Sequence, residues 1–171
     1  KLIMQYYKPN KKTIYIDDID INKYSINNIT FIAQEENLFT DTIYNNLVLD
    51  SDIDEITLNK VVKLCELKPL LDMNSYNTFL EENGSNLSGG QKQQLILARS
   101  LLKKPEILII DEGVNQMDIN LERKILKNIF KAYPNKTILI VNHRNDNLDL
   151  FDKLITLKNG KINIKERVIV W

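Results

Sequence analysis

Two short strings carry residue types that could do chemistry. The first is NLSGGQKQQ, Asn86 to Gln94, which sets two adjacent glycines and a polar run directly before the apolar LILARSLL. Glycine is the poorest ordinary residue for starting a rigid element. Its use here has two readings: a flexible loop, or a surface that must approach a ligand closely. The second string is ILIIDE, Ile107 to Glu112, a continuous apolar run that ends in two carboxylates. Such a run predicts a strand buried on both faces of a parallel sheet, and these sheets place ligands at the carboxyl ends of their strands. Asp111 and Glu112 standing alone would more simply be a solvated acidic pair. Two further polar residues end apolar runs: Gln34 after ITFIA, and His143, the only histidine, after KTILIVN. Taken singly, the glutamine reads as a loop residue and the histidine as structural.

The elements that must position these residues follow from periodicity. KLIMQYYKP is helical in pattern, lacks a cap in front, and is closed by Pro9. TIYIDDIDI (13–21) alternates as an exposed-face strand does, and ITFIAQ (29–34) is a more apolar strand. A polar bend through LFTDTIYNNL leads to a helix over about 52–71, then to the irregular MNSYNTFLEENG. A helix over Gln91 to Leu102 is apolar on most sides and ends before Pro105. After the Glu106–Asp111 strand, Asp118 caps a helix with Leu121, Ile125 and Ile129 on one face. KTILIVNH is a second buried strand, NLDLFD a short helix, and KLITLKNGKINIKE a hairpin about Lys158-Asn159-Gly160. Alternating strands and helices predict a three-layer α/β domain, with a mostly helical insertion at about residues 50–100.

Bulk properties narrow the class. The 171 residues are a one-domain length with 43% hydrophobic and 27% charged residues, and Lys+Arg equals Asp+Glu at 23 each, so nothing points to nucleic acid or an anionic surface. The single cysteine, Cys65, falls on the helical spacing of Leu58, Val61 and Val62 and reads as a core thiol. Neither a signal peptide nor a spanning segment is evident.

LSGGQ (Leu87–Gln91) followed by ILIIDE resembles the ATP-binding-cassette (ABC) ATPases, the motor domains of ABC transporters, over nearly the whole chain and in the right order. A given five-residue string arises by chance in a chain this long on the order of once in several thousand. The resemblance implies a P-loop NTPase (RecA-like) core from residues 1–49 and 104–171, with a helical signature subdomain over 50–103. It implies that Asp111 binds Mg²⁺ through water and that Glu112 is the general base for the water attacking the γ-phosphate. Gln34 matches the Q-loop glutamine, which touches Mg²⁺ and that water. His143 matches the switch histidine that donates to the γ-phosphate, and is expected in register with Asp111. Ser88, Gly89, Gly90 and Gln91 would complete the ATP site of a second, head-to-tail ATPase domain, with Asp118 at the dimer contact. Residues 113–117, Gly-Val-Asn-Gln-Met, depart from the small, Ser/Thr-rich residues usual before that aspartate. The LF…TI..N pattern after Gln34 and the EENGSNLSGGQ stretch, with Glu82 and Gly84, resemble exporter elements that face a transmembrane domain. Implied cofactors are ATP and Mg²⁺, and the implied location is the cytoplasmic face of a bacterial membrane. A peptide or bacteriocin cargo is a guess from the resemblance.

The pattern G-x-x-x-x-G-K-[ST] occurs nowhere in the 171 residues, so the cradle for the β- and γ-phosphates is not among them. KLIMQYYKP resembles the helix that follows that loop, and the expectation is a chain whose N-terminal part of the fold is missing. Alone it is expected to bind nucleotide poorly, and to leave unpaired strand edges beside the Asp111 strand. Two other classes compete: a soluble ABC ATPase of DNA repair or chromosome maintenance, and a non-catalytic interaction module. The first would carry a long coiled coil between Gln34 and Leu87, where only a short helical insertion is expected.

Overall fold

The computed structural model describes residues 1–144 and 146–166. The chain opens in a helix-terminating turn, without regular helix. Gln5 N–H donates to Leu2 O and Tyr6 N–H to Lys1 O, with Gln5 at φ 52°, the paired pattern in which helices close. This closure comes before Pro9. TIYIDDIDI is a hairpin instead of one strand: β1 (Tyr15–Ile16) pairs antiparallel with β2 (Ile19–Asp20). The turn residues Asp17 and Asp18 have φ 47° and 63°, the mirror-image turn whose twist suits a two-residue hairpin. Alternation runs unbroken through the turn, so periodicity alone reads across it.

The central sheet is parallel, in the order β3 (Ile29–Ile32), β4 (Ile107–Asp111), β5 (Thr137–Val141). Phe31 lies opposite Ile109, which lies opposite Leu139, and Asp111 lies opposite Val141. The edge expected to be open beside the Asp111 strand is closed, because β4 is paired on both sides. One sheet face carries Ile32, Leu108 and Ile110, each 1% exposed, with Ile138 and Ile140 packed on the same cluster. On the other face Leu139 and Val141 are 40% and 46% exposed. β5 is therefore half-buried on one face and exposed on the other, as suits a strand at the end of the described sheet. Its apolar run matched a central strand in composition only.

The helices cover the buried face. The polar bend contains a helix that periodicity misses, α1 (Ile43–Val48), capped by Thr42 through Asn45 N–H. Asn46, 1% exposed, accepts from Phe39 N–H and donates to the carbonyls of Phe39 and Thr42. It thus satisfies the backbone of the bend that leads into α1. The helix expected over 52–71 is two, α2 (Glu55–Leu64) and α3 (Lys68–Met73). Glu66 at φ 53° breaks it, with Glu66 N–H on Lys63 O and Leu67 N–H on Val62 O, and Pro69 then starts α3. Leu58, Val61, Val62 and Cys65 all enter the core. Cys65 has no exposed surface, and burial pushes its thiol pKa far up.

α4 (Gly89–Leu102) starts two residues earlier than its apolar pattern suggests. α5 (Ile119–Ala132) is capped by Asp118, whose Oδ1 accepts from Asn120 and Leu121 N–H. Ile125 and Ile129, each 1% exposed, seat it on the core. A hairpin of β6 (Lys153–Lys158) and β7 (Lys161–Glu166) follows. It turns at Asn159-Gly160, φ 50° and 70°, as its sequence predicts. Among the described residues no helix is long and apolar enough to cross a membrane.

Candidate active site

The site is built at the carboxyl ends of the sheet. Gln34 follows β3 by two residues, Asp111 ends β4, and His143 follows β5 by two residues. Parallel pairing therefore brings three segments distant in sequence to one edge. The backbone partner of Asp111 is Val141, so His143 lies beyond the paired register, where it reaches the next residue, Glu112.

Glu112 is the centre of the cluster. His143 Nε2 lies 2.6 Å from its Oε1, and Gln34 Nε2 donates to its Oε2 at 3.1 Å. Asn115 Nδ2 approaches the same Oε2 at 3.4 Å. Two such atoms approach this closely only with a proton shared between them. The Glu112 side chain is 20% exposed, whereas that of His143 is 78% exposed. Glu112 is also held in the left-handed region, φ 55°, while its N–H donates to Val141 O at 3.0 Å. Left-handed non-glycine residues cost of order 1–3 kcal/mol and gather at functional sites. Gly113 comes next for a steric reason. A Cβ there would lie 2.7 Å from Ile32 Cγ2 and 3.1 Å from Ile110 Cγ2.

Asp111 and Gln34 fit a magnesium ion by their donor chemistry. The Gln34 amide nitrogen is occupied by Glu112, which leaves Oε1 as the open acceptor. Among the described residues neither that oxygen nor the Asp111 carboxylate has a hydrogen-bond partner. One carboxylate and one amide oxygen suit an ion that keeps several waters and takes its other ligands from phosphates. No group of three or more His, Cys, Asp or Glu side chains is arranged to hold a metal among the described residues.

The glycine-rich string lies at the mouth of α4. Ser88 Oγ accepts from Gln91 N–H at 3.2 Å, and Gln91 Oε1 accepts from Ser88 N–H at 2.8 Å. This reciprocal cap is worth about 1 kcal/mol. With Oγ accepting, the Ser88 hydroxyl proton is left to donate outward, beside the free N–H groups of the first turn. The side of Gly89 and Gly90 on which a Cβ would stand packs against Gln116 and Met117. A Cβ at Gly89 would overlap the Gln116 amide, so the close approach that glycine permits here includes one within the chain. Gln116 N–H in turn donates to Gln93 Oε1 at 2.8 Å. Gln34, Gly89, Lys92, Gly113 and Gln116 line one cleft of about 280 Å³. Gln116, in the loop after Glu112, is the residue that packs on Gly89 and Gly90. Asp118 is exposed and serves α5 as its cap.

Sequence reasoning passed over several residues that hold the site. Gln93 and Gln94 are 8% and 6% exposed on α4, and Gln94 Nε2 donates to Cys65 O and Glu66 O. Two glutamines in a helix apolar on most sides were the available signal. Arg99, also on α4, donates to Glu36 Oε2 at 2.8 Å and to Asn37 O at 3.1 Å. It ties the segment after Gln34 to the helix that begins at Ser88. Gly84, at φ 62°, packs on Leu38 of that segment, while Glu82 is exposed. Between Gln34 and Leu87 stand α1, α2 and α3, of six, ten and six residues, and no coiled coil.

Known proteins resemble this chain in sequence and in fold. The family model described as ABC transporter matches residues 1–115. The chain is 33% identical over 170 residues to an ATP-dependent lipid A-core flippase of Wigglesworthia glossinidia brevipalpis, covering 94% of this chain and 29% of that protein. It is 32% identical over 170 residues to the lactococcin-A transport/processing ATP-binding protein of Lactococcus lactis subsp. lactis, covering 95% of this chain and 24% of that protein. The structure of a bacterial Atm1-family ABC exporter with ATP bound superposes with a TM-score of 0.85 at 27% identity, over 95% of this chain and 30% of that one. The chain thus spans between 24% and 29% of the length of these two relatives.

Proposed function

The chain belongs to the ABC transporter family, with the α/β fold of its exporters' ATPase domains, and on that premise we propose that it couples ATP hydrolysis to export across a membrane. The observation that carries this reading is the grip of Gln34 and His143 on the two oxygens of Glu112, at the carboxyl ends of β3, β4 and β5.

In this reading ATP is the substrate. Magnesium, when bound, supplies charge neutralisation at the phosphates, held by Asp111 and Gln34 Oε1. Glu112 accepts a proton from the attacking water at a carboxylate oxygen, a role typically worth about 10²–10⁴ in rate. Gln34 orients that carboxylate from Oε2. His143, exposed, exchanges its bond to Glu112 for one donated from Nε2 to a phosphate oxygen. Ser88 Oγ–H and the first N–H groups of α4 bind a phosphate presented by a second ATPase domain, where the helix dipole adds about 0.3–1 kcal/mol. Asp118 and Gln116 lie at that same interface. Residues 1–49 and the described part of 104–171 act as the core and 50–103 as the helical arm. The surface around the exposed Glu82 meets a transmembrane domain on the cytoplasmic face of the membrane. A phosphate-binding loop outside these 171 residues completes the substrate site. The lipid A-core flippase and the lactococcin-A transport/processing protein among the relatives support an amphipathic molecule or peptide as the cargo class.

Head-to-tail pairing is tested by complementation in the assembled transporter. Ser88→Glu puts a carboxylate against the partner's phosphate, and Glu112→Gln removes the base. Each variant alone is expected to be inactive. Mixed, they form one site with an intact Glu112 and an intact Ser88, and hydrolysis returns. Mixed dimers as inactive as either parent would contradict the pairing.

A further inference from the structure

Arg144 directly follows His143 and reaches away from it, toward the loop after Glu112. Its guanidinium donates to Met117 O at 3.3 Å and, more closely, to Asn115 O. Both acceptors belong to one turn, in which Asn115 N–H bonds Glu112 O and Met117 N–H bonds Val114 O. The two carbonyls held by Arg144 point out of that turn and need donors from elsewhere. Behind the guanidinium stands Glu122 of α5, 2% exposed, with Oε2 at 3.8 Å from Arg144 Nη1. Among the described residues that oxygen has no hydrogen-bond partner. Burial pushes the Glu122 carboxyl up, and Asn147 and Arg144 both act against that shift. Gln116, between the two gripped carbonyls, is the residue that rests on Gly89 and Gly90 and donates to Gln93.

We propose that Arg144, backed by Glu122, is a positioning residue that fastens the loop after Glu112 to the segment bearing His143, so that the Glu112–His143 pair and Ser88–Gln91 move as one body. The path runs from His143 through Arg144 to Asn115 and Met117, then through Gln116 to the mouth of α4. Each half of the machinery that a single chain contributes is thereby registered to the other. Arg144 touches neither substrate nor the reacting atoms in this account. The inference rests on the ATPase reading above.

The test is ATP turnover by the assembled transporter. Arg144→Met is expected to lower kcat about 10-fold or more while KM for ATP stays within about two-fold, since misplacement by an ångström can reduce a rate by such factors. Arg144→Lys keeps the charge without the two-pronged grip and is expected to recover only part of the loss. Gln116→Ala lies further along the same path. Combined with either Arg144 variant it is expected to add little further loss, because residues in one network are not additive. Losses that multiply fully, or a rise in KM with kcat unchanged, would overturn the proposal. Should Arg144→Met fail to fold, the Arg144→Lys and Gln116→Ala cycle decides alone. Glu112→Gln, measured alongside, separates the two claims. Unchanged turnover there removes the ATPase reading, while slow turnover there with additive Arg144 effects removes this inference only.

Discussion

Gln34 and His143, 109 residues apart in sequence, hold opposite oxygens of one carboxylate: Gln34 Nε2 is 3.1 Å from Glu112 Oε2 and His143 Nε2 is 2.6 Å from Oε1. The pair exists because β3 and β5 flank β4 in one parallel sheet. The left-handed turn at Glu112 then lifts its carboxylate above the strand ends, between them. The Glu112 carboxylate is thereby oriented by groups of this chain itself.

The turn after Glu112 tolerates no side chain at position 113. Gly113→Ala would set a Cβ 2.7 Å from Ile32 Cγ2 inside the core, and overpacking of this kind costs about 1–3 kcal/mol. Urea unfolding is expected to show a lower midpoint with an unchanged slope. An unchanged midpoint would mean that the core at Ile32 yields freely.

Arg99 fastens the Gln34 segment to α4. The Arg99 side chain is 8% exposed, against 25% for Glu36. Breaking a fully buried pair costs about 3–5 kcal/mol, and the partial access of Glu36 to water lowers the expectation for Arg99→Met to about 2–3 kcal/mol. Arg99→Met combined with Glu36→Gln should lose less than the sum of the two single changes, since no unpaired charge is left. A double-mutant cycle of unfolding free energies checks this, and strict additivity would show that the pair does not interact.

Arg123 binds Asp149 through both guanidinium nitrogens and holds its carboxyl down to about 2 from the ordinary 3.8. A carboxylate with a lowered folded pKa binds fewer protons folded than unfolded. Its contribution is therefore present above about pH 4 and is lost as pH falls toward about 2. Asp149→Asn is expected to flatten stability across that window and leave its slope near neutral pH alone. The pair is exposed, so the effect should be small and should shrink with salt. An equally steep acid limb in the variant would assign the effect to other groups.

The 171 residues contain Glu112, Asp111 and Ser88 but no Walker A glycine-lysine loop. Isothermal titration of this chain with Mg-ATP is expected to show no micromolar complex. Such a complex would place the phosphate-binding groups among the residues described above.

Much of this site was legible in the sequence because its signals are local. LSGGQ, the Asp-Glu pair at a strand end, Ser88 as a helix cap and the Asn159-Gly160 turn each declare themselves within a few residues. The order of strands was not legible, and neither was the contact of His143 with Glu112 instead of Asp111. Both follow from pairing register between distant segments. Periodicity failed where a left-handed residue interrupts a regular pattern, at Asp17-Asp18 and at Glu66. It failed again at β5, where an apolar strand stands at the end of the described sheet. Arg144, Glu122 and Gln116 were not singled out for any role, since their importance lies in which backbone groups they reach.

The proposed role of Glu112 as the base of an ATPase is decided by ATP turnover and ATP binding measured together in the assembled transporter carrying Glu112→Gln. ATP binding is expected to stay close to that of the parent and hydrolysis to slow by at least about 10²-fold. Turnover equal to the parent's would contradict it, and would reduce the grip of Gln34 and His143 on that carboxylate to a feature of the fold.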